Sequence, residues 1–131
     1  MPSDKVYAAL SAIPKAGRGV FASEKIKANG IIERCPVLVL PKKDYRTLKQ
    51  TGLREYYFMW GKVTVGICFG FGSLYNHSYK PNATYEKYIN EQIIEFRAIK
   101  NIEKDEEITV NYNYGYPNDN KKLWINSIAP A

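Results

Sequence analysis

Apolar residues in this chain arrive in short runs rich in Val, Ile, Tyr and Phe, each cut off by glycine, proline, asparagine or a charged pair. Such punctuation predicts a β-rich domain rather than a helical bundle. Strands are expected near Val6–Leu10, Gly19–Ala22, Ile31–Glu33, Val37–Leu40, Val63–Cys68, Ala83–Tyr88, Ile93–Ala98 and Glu107–Asn111. One helix fits Lys43–Gln50, after Pro41 and before Gly52, with another turn or two around "LREYYFMW". The polar "KYINEQ" between two alternating runs reads as an exposed hairpin. Nothing repeats at a fixed period, no linker divides the chain, and 131 residues suffice for one core.

Charge and cysteine content narrow the chemistry. The net charge is +6, but the basic residues are scattered, with "PKK" and "KK" the densest groups, so a solvated basic surface is expected over a dedicated nucleic-acid patch. Cys35 and Cys68 each sit in an apolar run, and the chain has one histidine, so two thiols and one imidazole cannot close a zinc site; no metal is expected. Both cysteines read as buried reduced thiols. The opening "MPSDKVYAALSAIPKAGRGV" has charges at Asp4 and Lys5 and no long apolar run, which reads as neither a signal peptide nor a membrane span. An intracellular location without membrane association is expected.

Three segments could carry chemistry. In "KAGRGVFAS", Gly17 and Gly19 flank Arg18 before a strand; glycine permits positive φ and close backbone approach, but no third glycine or helix follows as in a dinucleotide fold. "GFGSLYNHSYKPNATYE" holds the sole histidine, His77, without the nucleophile elbow of a hydrolase, so a hydrogen-bonding role is expected over acid–base work. In "TVNYNYGYPN", Tyr112, Tyr114 and Tyr116 alternate and would share a face if the strand continued. Tyrosines around a slot suit an aliphatic amine or a cation.

Read in order, "GRGVFA", "GSLYNHSYKPNA" and "DEEITVNYNYG" strongly resemble the SET domain of protein-lysine methyltransferases, over about Lys5 to Gly115. The likeness looks closest to the small stand-alone SET proteins of bacteria and viruses. It implies a mainly β, β-clip or SET fold: several short twisted sheets, one or two short helices, and a C-terminal segment passing beneath a preceding loop as a pseudo-knot. Residues 1–131 would be a single SET domain with its core at about 5–115, and 116–131 a lid segment lacking the zinc-binding cysteines of many chromatin enzymes.

The resemblance further implies a protein-lysine N-methyltransferase using S-adenosylmethionine, with S-adenosylhomocysteine as product. Gly17, Arg18, Gly19, Asn76 and His77 would bind the cofactor: the Asn76 side chain its amino-acid end, the His77 backbone its adenine edge. Whether the Arg18 side chain touches the cofactor or is solvated stays open. Asn82 would hold the pseudo-knot turn. Tyr112 matches the catalytic tyrosine, beside sulfonium and methyl, and Tyr56, Tyr85, Tyr112 and Tyr114 would line the channel admitting the substrate lysine. That lysine must be neutral to attack; with a reference pKa of about 10.4, deprotonation at pH 7 costs roughly 4–5 kcal/mol. A desolvating channel and a nearby sulfonium both favour the neutral amine, so no protein base is required.

Two features depart from the family. Val110 stands where many members carry Phe or Tyr, and Tyr85 matches an alternative source of that hydroxyl, which points to mono- or dimethylation. Trp124 in "KKLWINS" is the candidate lid over the cofactor, with an exposed residue or a dimer contact as the other readings. A histone, a ribosomal protein or another basic protein could supply the lysine, and a homodimer is possible. Glu55, Glu86, Glu91, Asp105, Glu106 and Glu107 are candidates for an acidic groove that would receive it. The competing functions are a catalytically inactive SET-fold module binding lysine or methyl-lysine peptides, and a basic β-domain binding nucleic acid.

Overall fold

The computed structural model describes residues 4–61 and 64–112, and among these nine strands form two sheets. β1 (Val6–Leu10) and β2 (Arg18–Ala22) make an antiparallel hairpin, with Leu10 opposite Arg18. β9 (Glu107–Val110) lies antiparallel to β2, and β6 (Asn76–His77) lies parallel to β9, giving the order β1-β2-β9-β6. The second sheet runs β4 (Tyr57–Met59), β5 (Val65–Cys68), β3 (Ile31–Leu40), β8 (Ile93–Ala98), β7 (Ala83–Tyr88), each neighbouring pair antiparallel. No helix among the described residues is long and apolar enough to cross a membrane.

Alternation builds the core. Along β8, Ile94, Phe96 and Ala98 are buried against Ile32, Tyr75 and Ala83, each large apolar side chain contributing about 1.5–3 kcal/mol. Between them Glu95 is also buried, its carboxylate held by Arg34 Nε at 2.8 Å and Arg97 at 2.6 Å. Val20 of β2 and Ile108 and Val110 of β9 continue the same core, so the two sheets share one apolar interior.

Several expectations are corrected. The two strands expected on either side of Cys35 are one ten-residue strand, β3. Pro36 is tolerated within it because its carbonyl, not a missing N–H, does the pairing: it accepts from Phe69 N at 3.0 Å. The helical turns anticipated around "LREYYFMW" reduce to a 3-10 turn, Gly52–Glu55, and the aromatic residues after it form β4, paired with β5. α1 spans Lys42–Leu48, close to the expected helix. The two-residue strand at Asn76–His77 is not among the expected strands, and β9 ends at Val110, so Tyr112 lies just past its end. Cys35 and Cys68 are buried and free, as expected. Hydrogen bonding to Cys68, with burial, pushes the Cys35 thiol far above its ordinary value, so it stays protonated.

Candidate active site

The loop between β1 and β2 is closed by Ser11 N donating to Gly17 O at 2.8 Å and Ala16 N to Ile13 O at 3.2 Å. Lys15 and Gly17 adopt positive φ, 65° and 71°, which turns the chain back toward Arg18. Gly19 answers a different need. A Cβ there would stand 2.3 Å from Glu107 Oε2 and 2.9 Å from Asn76 Nδ2, so the missing side chain makes room for polar groups of β9 and β6.

β6 pairs with β9 through both of its residues, Asn76 beside Thr109 and His77 beside Val110. Ser78 N donates to Val110 O at 3.0 Å. Because peptide groups alternate along a strand, those of Asn76 and Ser78 face β9 while those of His77 face away, at the edge of the four-stranded sheet. Asn82, 4% exposed, fastens the passage of β9: its Nδ2 donates to Glu107 O at 2.8 Å and to Glu106 Oε2 at 3.2 Å, and its Oδ1 accepts from Thr109 N at 2.9 Å. One amide thus replaces the ladder bonds that a short, threaded strand cannot make for itself.

His77 is fully buried, and burial alone lowers its pKa to about 4, so the ring is neutral at physiological pH. Its Nδ1 accepts from Tyr112 N at 3.0 Å, which places the proton on Nε2; among the described residues Nε2 has no partner. The ring packs edge-on to Tyr79 and tilted against Tyr112, with centroids at 4.4 and 5.3 Å. His77 therefore fixes where the chain leaves β9. The Tyr112 hydroxyl donates to the main-chain oxygen of Tyr75 at 2.6 Å. Tyr75 is itself anchored, its ring stacked on Phe96 at 4.4 Å and its hydroxyl donating to buried Glu33 at 2.6 Å.

A cavity of about 370 Å³ opens where these segments meet. Of the residues anticipated for the site, Gly17, Arg18, Asn76, Tyr112 and Tyr56 line it. Gly19 and His77 stand behind the lining, Gly19 by making space and His77 by orienting Tyr112. Tyr85 lies in the core, edge-on to Phe58 at 5.3 Å and tilted against Phe96, and is not among the lining residues. Tyr114 and Trp124 lie outside the described residues.

Lys15 and Ser73 also line the cavity and were not singled out in the sequence. Glu107 was counted toward a free acidic groove; instead it is tied to Ser11 Oγ at 2.7 Å and Asn76 Nδ2 at 2.9 Å. Glu107, Thr109 and Asn111 alternate with Ile108 and Val110, yet none of the three is exposed; the sequence pattern alone reads as a solvated polar face, and only the structure shows that it meets protein.

A volume of this size lies in the range of about 300–1,000 Å³ typical of small-molecule sites. The donor set suits a zwitterionic end group: cations at Lys15 and Arg18, and an amide at Asn76.

Comparison with known proteins places this arrangement among relatives. A family model described as SET domain matches residues 17–113. The histone-lysine N-methyltransferase of Schizosaccharomyces pombe described as H3 lysine-37 specific is 36% identical over 99 residues, covering 75% of this chain and 67% of that protein. A crystal structure of a Plasmodium falciparum protein, provisionally assigned as a histone methyltransferase, matches with a TM-score of 0.67 and 33% identity, over 86% of this chain and 96% of that one. A chain of the Chaetomium thermophilum polycomb repressive complex 2, autoinhibited and bound to S-adenosylmethionine, gives a TM-score of 0.74 at 21% identity, over 90% of this chain and 16% of that one. At that identity the likeness is one of fold.

Proposed function

This chain belongs to the SET-domain family of protein-lysine N-methyltransferases, and on that premise we propose that S-adenosylmethionine binds in the cavity between Gly17, Asn76 and Tyr112 and that a substrate lysine meets it beside Tyr112. One observation carries the reading. Three segments far apart in sequence, the turn at Gly17 and Arg18, β6, and Tyr112 two residues past β9, meet around one cavity of cofactor size.

Bound there, the cofactor would supply an electrophilic methyl group, with S-adenosylhomocysteine left as product. The protein's share is orientation. Asn76 offers an acceptor to the amino group, Lys15 and Arg18 offer cations to the carboxylate, and the outward peptide groups of His77 offer a donor and an acceptor suited to an adenine edge. Tyr112 donates its proton to Tyr75 O, so toward an incoming amine or the methyl hydrogens its oxygen would act as an acceptor. His77, neutral and wholly buried, serves as a positioning group rather than a base.

Tyr56, 43% exposed and on the cavity wall, is suited to the mouth of the lysine channel. Tyr85 would control the number of methyl groups only if the lysine reached past Phe58, and Tyr114 and Trp124 keep the channel and lid roles that the family resemblance implies. The substrate we propose is a basic protein, a histone first, which would put the enzyme at chromatin in a cell that has it; the histone methyltransferases among its relatives support that choice.

Calorimetric titration of S-adenosylmethionine into the protein and its Asn76→Ala variant, followed by mass spectrometry of histones and ribosomal proteins incubated with both, tests the proposal. Saturable binding lost in the variant, with mass gains of one methyl group on lysine, is the expected result. No binding at millimolar cofactor would overturn it and favour a non-catalytic lysine-binding module.

A further inference from the structure

Glu107 occupies the first position of β9, and its carboxylate ties the residue that follows β1 to β6 across the gap left at Gly19 of β2. Oε1 accepts from the Ser11 hydroxyl, one residue past β1, at 2.7 Å. Oε2 accepts from Asn76 Nδ2 on β6 at 2.9 Å, in the space that Gly19 of β2 leaves open. The same Nδ2 donates to Arg18 O at 3.0 Å.

A carboxylate and a carbonyl can only accept, so the atom of Asn76 facing them must be the amide nitrogen. Both of its hydrogens are then used. What Asn76 can still offer in the cavity it lines is Oδ1, an acceptor. Without Glu107 one of the two groups that decide this would be gone, and an amide turned over would present its donor instead.

We infer that Glu107 is a positioning residue that holds the Asn76 amide with its oxygen available, and so makes this end of the cavity select a ligand carrying a primary ammonium group. The inference rests on the proposed cofactor reading, in which that group is the α-ammonium of S-adenosylmethionine. The carboxylate behind the amide adds a favourable field for a cation, and it would repel an anionic end group at the same place.

Calorimetry with two probes separates this role from a structural one. S-adenosylhomocysteine carries the ammonium; methylthioadenosine is a thioether nucleoside of the same kind without the amino-acid end. Glu107→Ala should raise the Kd of S-adenosylhomocysteine by about ten- to a hundredfold, the size of a lost charge-assisted hydrogen bond, and that of methylthioadenosine by less than about threefold. Glu107→Gln, which keeps an acceptor oxygen, should recover most of the loss. Equal losses for both probes, or none for either, would overturn the inference. If Glu107→Ala does not fold, Ser11→Ala removes one of the two anchors of the carboxylate, and the expected loss is smaller but still confined to S-adenosylhomocysteine; equal losses again overturn it. A wild-type protein that binds neither probe would instead sink the cofactor reading, and that result is obtained before any variant is compared.

Discussion

The Tyr112 hydroxyl and the Tyr75 carbonyl lie 2.6 Å apart, joined by a hydrogen bond that spans 37 positions of sequence. Tyr75 cannot drift, because its ring is stacked on Phe96 and its hydroxyl is bound to Glu33, and burial together with Glu33 keeps that hydroxyl protonated. The carbonyl is therefore a fixed point on which the phenol of Tyr112 is hung. Tyr112→Phe removes the oxygen that the proposed function sets beside the methyl group while keeping the ring that packs on His77. Methyl transfer should fall by about a hundredfold or more, while stability changes by about 1 kcal/mol. Turnover assays beside thermal denaturation check this; comparable losses in both would contradict it.

Asn82 makes three hydrogen bonds to residues 106–109 with almost no exposure. Asn82→Ala strands a buried carbonyl and a buried N–H at once. A destabilisation of about 2–4 kcal/mol is expected, read as a lower urea midpoint with an unchanged slope.

Gly17 and Gly19 should fail differently when a methyl group is added. Nothing lies within 4 Å of a Cβ at Gly17, but its φ of 71° is strained for alanine, a cost of about 1 kcal/mol. At Gly19 the added carbon meets Glu107 and Asn76 at 2.3 and 2.9 Å. Gly19→Ala should thus weaken cofactor binding more than Gly17→Ala weakens it, and paired titrations of the two variants decide the point.

His77 gives the stability a pH signature that can be assigned to one side chain, since it is the sole histidine. Its pKa is about 4 folded against an ordinary 6.5, so the unfolded chain takes up the proton first as pH falls. The stabilisation is complete above pH 6.5 and is lost progressively down to about pH 4, amounting to roughly 2 kcal/mol by pH 5. Unfolding free energies at pH 7.5 and 5, with the imidazole titration followed by NMR, test the sign and the window. A histidine that titrates near 6.5 in the folded protein would refute it.

Much of the site was legible because its chemistry is concentrated in three short segments whose residue types have few other uses. "GRGVFA", "NHS…PN" and "EEITVNY" carry a turn, a hydrogen-bonding cluster and a phenol, and their order along the chain is more specific than any one of them. The runs that became β1, β2, β7, β8 and β9 were equally plain, since strand alternation is written at a spacing of two residues. Glu33, Tyr75 and Glu107 were not legible as site residues. Each acts through a partner 31 to 96 positions away, and no local pattern encodes that distance.

The sequence by itself determined a β-rich domain, two buried thiols and five of the residues that meet around the cavity, Gly17, Arg18, Tyr56, Asn76 and Tyr112, because periodicity, composition and motif order are local properties. Only the tertiary structure decided that a two-residue strand at Asn76–His77 would run parallel to β9, that Gly19 serves as space rather than as a turn, and that the Asn76 amide has a fixed orientation. The physical reason is that threading β9 between β2 and β6 brings together chain segments whose pairing is settled by long-range contacts and by the satisfaction of buried polar groups, which no single segment can specify alone.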